Sequence, residues 1–179
     1  MPAMRKGAWT VLFALLLAAC ATARSGPHPM LQAQLAALKV RLFELVEEER
    51  MQAGAKPLVL DPERIVAAQA HSDDMARKRS FDTMNPNGNL ALNTLLSTDP
   101  KFIGFFAENS AAQYFTPSLG IDPDAMAKGF LEIWLGSPTH RSNLTYKDFD
   151  RTGIGIAVNG NAIYVSEVFT SDLGLPEPQ

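Results

Sequence analysis

Leucines recur at alternating intervals of four and three residues along the first long segment of the chain. This spacing predicts an amphipathic helix from Met30 to about Ala53. Arg50 in its last turn suits the negative end of the helix dipole, and Gly54 is a natural stop signal. The stripe expected to face the core consists of Leu31, Leu35, Leu38, Leu42 and Leu45.

Two further helices are predicted from a shared start signal, an aspartate followed by a proline. Asp61 and Asp122 can cap the free N–H groups of the first turn, and proline suits the first helical position. The helices are expected over 62–79 and 123–135. The small and apolar face of the first consists of Ile65, Ala68, Ser72, Met75 and Ala76.

Alternating apolar residues near the C-terminus predict a β-hairpin with a two-residue type I′ turn at 159–160. That turn places Ile156 opposite Ile163 and Thr152 opposite Glu167, and Glu167 is expected to be exposed near the strand end. The opposite face carries glycine and alanine, so a helix can approach closely there. A sheet covered on both faces predicts an α+β fold, a three-layer α-β-α sandwich with a small antiparallel sheet.

The N-terminal residues form a separate unit. Arg5 and Lys6 precede an apolar run, 9–17, that is too short to span a bilayer as an anchor. The run ends in Leu-Ala-Ala-Cys, which resembles a bacterial lipobox with Cys20 as the residue that carries the lipid anchor (diacylglycerol and palmitate). An ordinary secretory signal cut within 18–23 is the alternative.

This interpretation divides the chain into a cleaved signal peptide over 1–19, a lipidated tether over 20–29, a folded domain over 30–172 and a flexible tail over 173–179. By resemblance to Gram-negative lipoproteins, Ala21 after the lipidated cysteine indicates the outer membrane, with the domain facing the periplasm. The membrane is therefore the first predicted partner.

The net charge argues against one class of partner, and the cysteine content indicates what stabilises the fold. The formal net charge is −3, and removal of residues 1–19 with their two basic side chains makes it −5. An acidic domain argues against a nucleic-acid partner, which requires basic surfaces. Cys20 is the single cysteine, so the fold depends on its packed core and not on disulfides.

Several short motifs occur in a fixed order between Leu45 and Thr170. In chain order they are Ala70-His71-Ser72, Phe81 to Gly88, Ala107-Glu108-Asn109, Ser137-Pro138-x-His140-Arg141 and Gly153-Ile154-Gly155. The ordered set resembles the CAP superfamily (cysteine-rich secretory, antigen 5 and pathogenesis-related proteins), in its bacterial SCP-like extracellular branch. The resemblance implies an α-β-α sandwich, an extracellular or periplasmic location and a central cavity lined by histidine and glutamate.

The resemblance assigns four positions to this cavity: Thr83, Glu108, Ser137 and His140. Bacterial relatives usually carry a second histidine at the position of Thr83, and some carry glutamate at that of Ser137. Zinc requires three or four strong ligands, and His140 and Glu108 alone are weak candidates, so no cofactor is expected. His71 could replace the missing imidazole if its helical face points to the cavity.

Two chemical roles are open for these residues. Glu108 is expected to hydrogen-bond His140 and thereby raise the pKa of that imidazole. Ser137, His140 and Glu108 could alternatively serve as nucleophile, base and orienting acid of an envelope peptidase or esterase. However, Ser137 precedes Pro138, which is typical of the N-cap of a short helix.

A non-catalytic binding module is the function that we favour from the sequence, with a lipid or another cell-wall component as the ligand. The clusters at 102–106 and 114–117 are rich in aromatic residues and could line an apolar groove or touch a membrane. Alternatively, they fill the core beneath the long connection over 82–107.

Overall fold

The computed structural model describes residues 29–80, 84–85 and 88–173. The predicted signal peptide, Cys20, Thr83 and the tail beyond residue 173 lie outside this part. None of the helices described there is both long enough and apolar enough to cross a membrane. In chain order the elements are α1 (Pro29–Gln52), β1 (Val59–Leu60), α2 (Pro62–Lys78), β2 (Met84–Asn85), β3 (Gly88–Asn89), α3 (Leu90–Thr98), β4 (Gly104–Tyr114), α4 (Pro123–Gly136), α5 (Pro138–Thr145), β5 (Arg151–Asn159) and β6 (Ala162–Asp172).

Four strands form one mixed sheet in the order β1-β5-β6-β4. Strand β6 pairs antiparallel with both β4 and β5, and the short β1 adds a parallel pair with β5. Helices α1, α4 and α5 pack on one face of the sheet, and α2 and α3 pack on the other. The predicted three-layer α-β-α sandwich is therefore confirmed, with a parallel edge pair added to the antiparallel strands.

The predicted helix starts are also present. The Asp61 carboxylate accepts hydrogen bonds from two backbone N–H groups in the first turn of α2, and Asp122 does the same for α4. Leu38 and Leu42 of the leucine stripe are completely buried. Aspartate caps thus start α2 and α4, and a buried leucine stripe holds α1 against the core, as local sequence rules predict.

The turn of the hairpin lies one residue later than predicted. Strands β5 and β6 are joined by the loop 160–161, and of these two residues only Gly160 has a positive φ, +63°. Glycine at the first loop position is typical of a type II′ turn and not of the predicted type I′. Ile156 consequently faces Val165 instead of Ile163. A shift of two residues keeps every side chain on its predicted face.

Helix α2 lies directly on the glycine face of β5. A Cβ atom at Gly153 would come within 2.1 Å of the backbone carbon of Arg64, and one at Gly155 within 2.3 Å of that of Ala68. No side chain fits in that space, so the two glycines allow the helix backbone to touch the sheet. The close approach predicted for this face is confirmed.

Candidate functional site

Strand β4 is the edge of the sheet and carries the Glu108-Asn109 motif. Alternation along the strand directs Glu108 toward α2 and Asn109 toward α5, on the other face. The sequence did not predict this strand. It therefore gave no basis for assigning the two side chains to opposite layers.

The Glu108 carboxylate is buried among donors from three elements. One oxygen accepts from the hydroxyl of Ser166 on β6 at 2.6 Å and contacts Nδ1 of His71 on α2. The other accepts from the side-chain amide of Asn89, the N-cap of α3, at 3.0 Å. The side chains of Glu108 and His71 are only 4% and 1% exposed. Hydrogen bonds of this kind compensate the loss of hydration of a buried acid.

His140 does not pair with Glu108, and this prediction is wrong. Nδ1 of His140 is buried and has no hydrogen-bond partner in the described part of the chain. Burial lowers the pKa of His140, whereas pairing with a carboxylate would have raised it. The physical reason is that α5, which carries His140, packs on the face of the sheet opposite to the Glu108 side chain.

Asn109 joins α5 to the edge strand. Its fully buried amide donates to the carbonyl of His140 at 3.0 Å and accepts from the amide of Asn143 at 2.9 Å. The Asn143 amide also approaches the carbonyl of Glu108 at 3.3 Å. The backbone carbonyls of Glu108 and His140 are thus linked through the side-chain amides of Asn143 and Asn109, while the side chains of Glu108 and His140 do not meet. The asparagine of the motif has a structural role that sequence reasoning missed.

Ser137 is the N-cap of α5, as the following proline predicted. Its hydroxyl accepts a hydrogen bond from the backbone N–H of His140 at 3.4 Å. Since Glu108 is bonded elsewhere, Ser137, His140 and Glu108 form no chain of side-chain hydrogen bonds among the described residues. The geometry of a nucleophile, a base and an orienting acid is not assembled there.

His71 is the histidine whose imidazole lies beside Glu108. The contact is consistent with the suggestion that His71 compensates for the lack of histidine at Thr83. Across residues 29–80 and 88–173, no three His, Cys, Asp or Glu side chains gather closely enough to hold a metal ion. Two ligands do not make a zinc site. Ala68 and Met75 lie one helical turn before and after His71, and both belong to the small and apolar face predicted for this helix. Their position was the signal that His71 points inward.

A second carboxylate, Glu167, is buried on the opposite face of the sheet. The prediction that it is exposed at a strand end is wrong, because it is completely buried. The hydroxyl of Thr152 donates to one oxygen at 3.0 Å, and the other oxygen has no partner among the described side chains. Burial raises the pKa of Glu167 to about 8, although the Thr152 hydrogen bond and the charge of Arg50 oppose the increase. Glu167 is therefore mainly protonated at neutral pH.

Arg50 is completely buried and serves backbone carbonyls. Its guanidinium donates to the carbonyl of Lys56 at 3.0 and 2.8 Å, of Leu144 at 2.7 Å, of Tyr146 at 3.1 Å and of Phe149 at 2.8 Å. It therefore fastens the end of α1 to the segment before β1 and to the segment after α5. These bonds involve a charged donor and are stronger than neutral ones.

Four rings form an aromatic row that leads from the surface into the core. Phe105 is 52% exposed and meets Tyr146 edge to face, with centroids 6.3 Å apart. Tyr146 lies 4.8 Å from Phe149, which stacks on the buried Phe169 at 5.9 Å. A hollow of about 190 Å³ opens at the outer end of this row. Its walls include Ala107 and Asn143, next to the Glu108-Asn109 motif.

The aromatic cluster predicted at 102–106 has two roles. Phe102 and Phe106 pack against the buried cluster between α2 and α3, which is the core-filling alternative. Phe105 points to the other face and lines the hollow, which is the groove alternative. Phe105 and Phe106 point to opposite faces because the side chains of a strand alternate, whereas Phe102 precedes β4. The core-filling interpretation therefore holds for Phe102 and Phe106, and a binding groove at Phe105 stays a prediction.

Comparison with known proteins places these features in a family context. The sequence profile of the cysteine-rich secretory protein family (CAP) matches residues 43–173. The uncharacterized protein YkwD of Bacillus subtilis is 27% identical over 127 residues, which cover 71% of this chain and 45% of that protein. The chain therefore spans less than half the length of this relative.

Solved structures of other bacterial proteins share this fold. An extracellular protein containing an SCP domain from Bacillus anthracis gives a TM-score of 0.60 at 27% identity, covering 83% of this chain and 45% of that one. An outer surface protein from Borrelia burgdorferi gives a TM-score of 0.61 at 20% identity, covering 76% of this chain and 93% of that one. The second likeness concerns the fold alone.

Proposed function

Because the chain belongs to the cysteine-rich secretory protein (CAP) family, we propose that it is a non-catalytic binding module of the cell envelope. A relative at 27% identity is described as an extracellular protein, which supports a location outside the cytoplasm. The lipobox-like sequence at Cys20 supports a lipid anchor. In this proposal the anchor holds the domain at the outer membrane, facing the periplasm.

The aromatic row is the observation that carries the binding role. Phe105 and Tyr146 leave apolar surface exposed at its outer end, and Phe149 and Phe169 support them from the core. Arg50 fixes the carbonyls of Tyr146 and Phe149, so the rings do not have to be ordered when a ligand binds. A preorganised apolar surface reduces the entropy cost of binding.

The size of the hollow limits the ligand. Its volume of about 190 Å³ is below the 300 to 1,000 Å³ that is typical of sites enclosing a whole small molecule. We therefore propose that it accepts one apolar part of an envelope ligand, such as a section of an acyl chain. The remainder of the ligand would extend over the surface of α5.

The hydrolase alternative has less support. Both oxygens of Glu108 already accept hydrogen bonds, the Ser137 hydroxyl caps α5, and the imidazole of His140 faces neither of them within the described chain. An esterase or peptidase would require these side chains to separate from their present partners before reaction.

Mass spectrometry of organic extracts tests the binding role. Mature protein purified from membranes is expected to retain a bound lipid, and Phe105→Asp is expected to lose it, because a carboxylate would lie in the apolar hollow. Ile103→Asp is the matched control, since Ile103 is also an exposed apolar residue of this segment but does not line the hollow. Equal losses in both variants, or no bound lipid in the wild type, would contradict the proposal.

Fractionation of cells tests the anchor separately. Cys20→Ser is expected to move the protein from the membrane pellet to the soluble fraction, because lipidation at this residue requires the thiol. Ser25→Ala is the control within the same tether. Retention of the Cys20→Ser variant in the pellet would show that the lipid is not the anchor, and would leave the test of the aromatic row unaffected.

A further inference from the structure

A groove of about 540 Å³ lies beside the second half of α1, away from the aromatic row. Its apolar surface includes Phe43, Met51 and Pro57. Met51 is 73% exposed, so its apolar side chain is not used in the core. The volume lies within the range of sites that hold a small organic molecule.

The rim of the groove is acidic. Glu44, Glu47 and Glu48 all line it. Arg41 contacts Glu44 at 3.0 Å and Glu48 at 3.5 Å, but it also bonds Asp124 at 2.8 Å. Lys128 also bonds Asp124, at 2.6 Å. Two cations among three carboxylates leave this cluster with one net negative charge.

At the inner part of the rim, Glu47 is paired with Arg50, which also lines the groove, so the excess negative charge lies at Glu44 and Glu48. Glu47 accepts the backbone N–H of Leu58 with both oxygens, at 3.1 and 3.2 Å, and lies 3.9 Å from Nε of Arg50. Arg50 uses its N–H groups for backbone carbonyls. An apolar surface below a negative rim is complementary to a molecule that has an apolar part and a positive charge.

We propose that this groove binds a small amphiphilic cation. The apolar part of the ligand lies on Phe43 and Met51, and its ammonium or guanidinium group lies at Glu44 and Glu48. The groove shares no lining residue with the hollow at Phe105. The proposal therefore adds a second site, for a ligand that carries a positive charge, and does not depend on the first.

Three probes with the same apolar part and different charges test the proposal. They are 4-phenylbutylammonium, 4-phenylbutanol and 5-phenylpentanoate, each with a phenyl ring and four methylenes, titrated into the mature, anchored protein in phosphatidylcholine nanodiscs, with empty nanodiscs as the blank. Calorimetry gives the affinity, and the methyl signal of labelled Met51 gives the location. The cation is expected to bind about fivefold more tightly than the alcohol, and the anion more weakly than both.

Two pairs of variants separate the roles of charge and apolar contact. Glu48→Gln is expected to weaken binding of the cation about threefold and leave the alcohol unchanged. Glu49→Gln, a neighbouring glutamate outside the groove lining, is expected to change neither. Met51→Ser is expected to weaken all three probes, whereas Val40→Ser, an exposed apolar residue of the same helix outside the lining, is not.

Several results would overturn the proposal. The alcohol or the anion could bind as tightly as the cation, or Glu49→Gln could act as strongly as Glu48→Gln. Binding that leaves the Met51 methyl signal unmoved and disappears in Phe105→Asp would assign the probe to the aromatic row instead. Concentration-dependent self-association that blocks the probes would show that a second copy of the chain occupies the groove.

Discussion

Glu108 and Glu167 lie on neighbouring strands, point to opposite faces of the same sheet, and are both buried. Glu108 is surrounded by donors from His71, Ser166 and Asn89. Glu167 has one donor, Thr152, and burial raises its pKa to about 8. The comparison shows that depth alone does not determine what a buried acid contributes. The number of donors around it determines how far the lost hydration of the carboxyl group is compensated.

The two faces differ because of what packs against them. On the Glu108 face, α2 and the start of α3 bring polar side chains close to the sheet. On the Glu167 face, α1 and α4 bring mainly hydrocarbon, and the nearest positive charge, Arg50, is bonded to carbonyls. The first face offers its acid several hydrogen-bond donors, while on the second face burial favours the neutral form of Glu167.

Glu108→Ala should give the largest effect on stability. The side chains of Ser166 and Asn89 would lose their acceptor, and the buried contact of His71 would be lost, so we expect unfolding to become easier by roughly 3 to 5 kcal/mol. Urea denaturation at neutral pH measures this. Ser110→Ala is the control on the same strand face, because the Ser110 hydroxyl is buried with no partner in the described residues. It should cost less than about 1 kcal/mol. Equal costs would show that the donors around Glu108 are unimportant.

Glu167→Gln should have an effect that depends on pH. The folded-state pKa, about 8, is above the ordinary value of 4.5, so the folded chain holds this proton more tightly than the unfolded chain. That stability is fully present below about pH 4.5 and is lost as the pH rises to about 8. Glutamine does not ionise. The variant should therefore gain on the wild type, by on the order of a few kcal/mol at pH 9.

Denaturation curves of the two proteins between pH 4 and pH 9 check this expectation. Glu48→Gln is the control for loss of an exposed glutamate, and its stability should run parallel to that of the wild type. Parallel curves for Glu167→Gln would contradict the raised pKa.

The smallest expected effect concerns His140. Burial holds its pKa below the ordinary 6.5, and Glu108→Gln should leave that pKa unchanged because the two side chains do not pair. Proton NMR titration of the imidazole measures it. A fall in the His140 pKa of about one unit on substitution would restore the carboxylate–imidazole pair predicted from the sequence.

Local signals were sufficient for the starts of α2 and α4 and for the faces of the hairpin. Each depends on neighbours in the chain: an aspartate cap with proline, or a period of two. The turn was misplaced by one residue because Gly160 can occupy either position of a two-residue loop. The predicted faces of the two strands are nevertheless correct, because the pairing register moved by two residues, an even number.

The candidate site depended on longer-range information. Three consecutive polar residues, 108–110, hide the alternation of β4, because the buried side chains of Glu108 and Asn109 are satisfied by distant partners and not by an apolar pattern. The partner of Glu108 could not be identified without the rotation of α2 about its axis. The small face of α2 and the glycines of β5 predict that a helix meets this sheet, but they do not predict that His71 lies beside Glu108 on β4.

The contact of α2 with Gly153 and Gly155 has a consequence for mutational tolerance. Even alanine at either position would collide with helix backbone and lift α2 from the sheet, and with it His71, one turn beyond Ala68. In a saturation mutagenesis screen, these two positions should accept almost no replacement, although neither has a side chain that touches a ligand or carries a charge. If a substitution at Gly153 or Gly155 abolishes binding, the cause would be the displacement of α2 from the sheet and not the loss of a contact with the ligand.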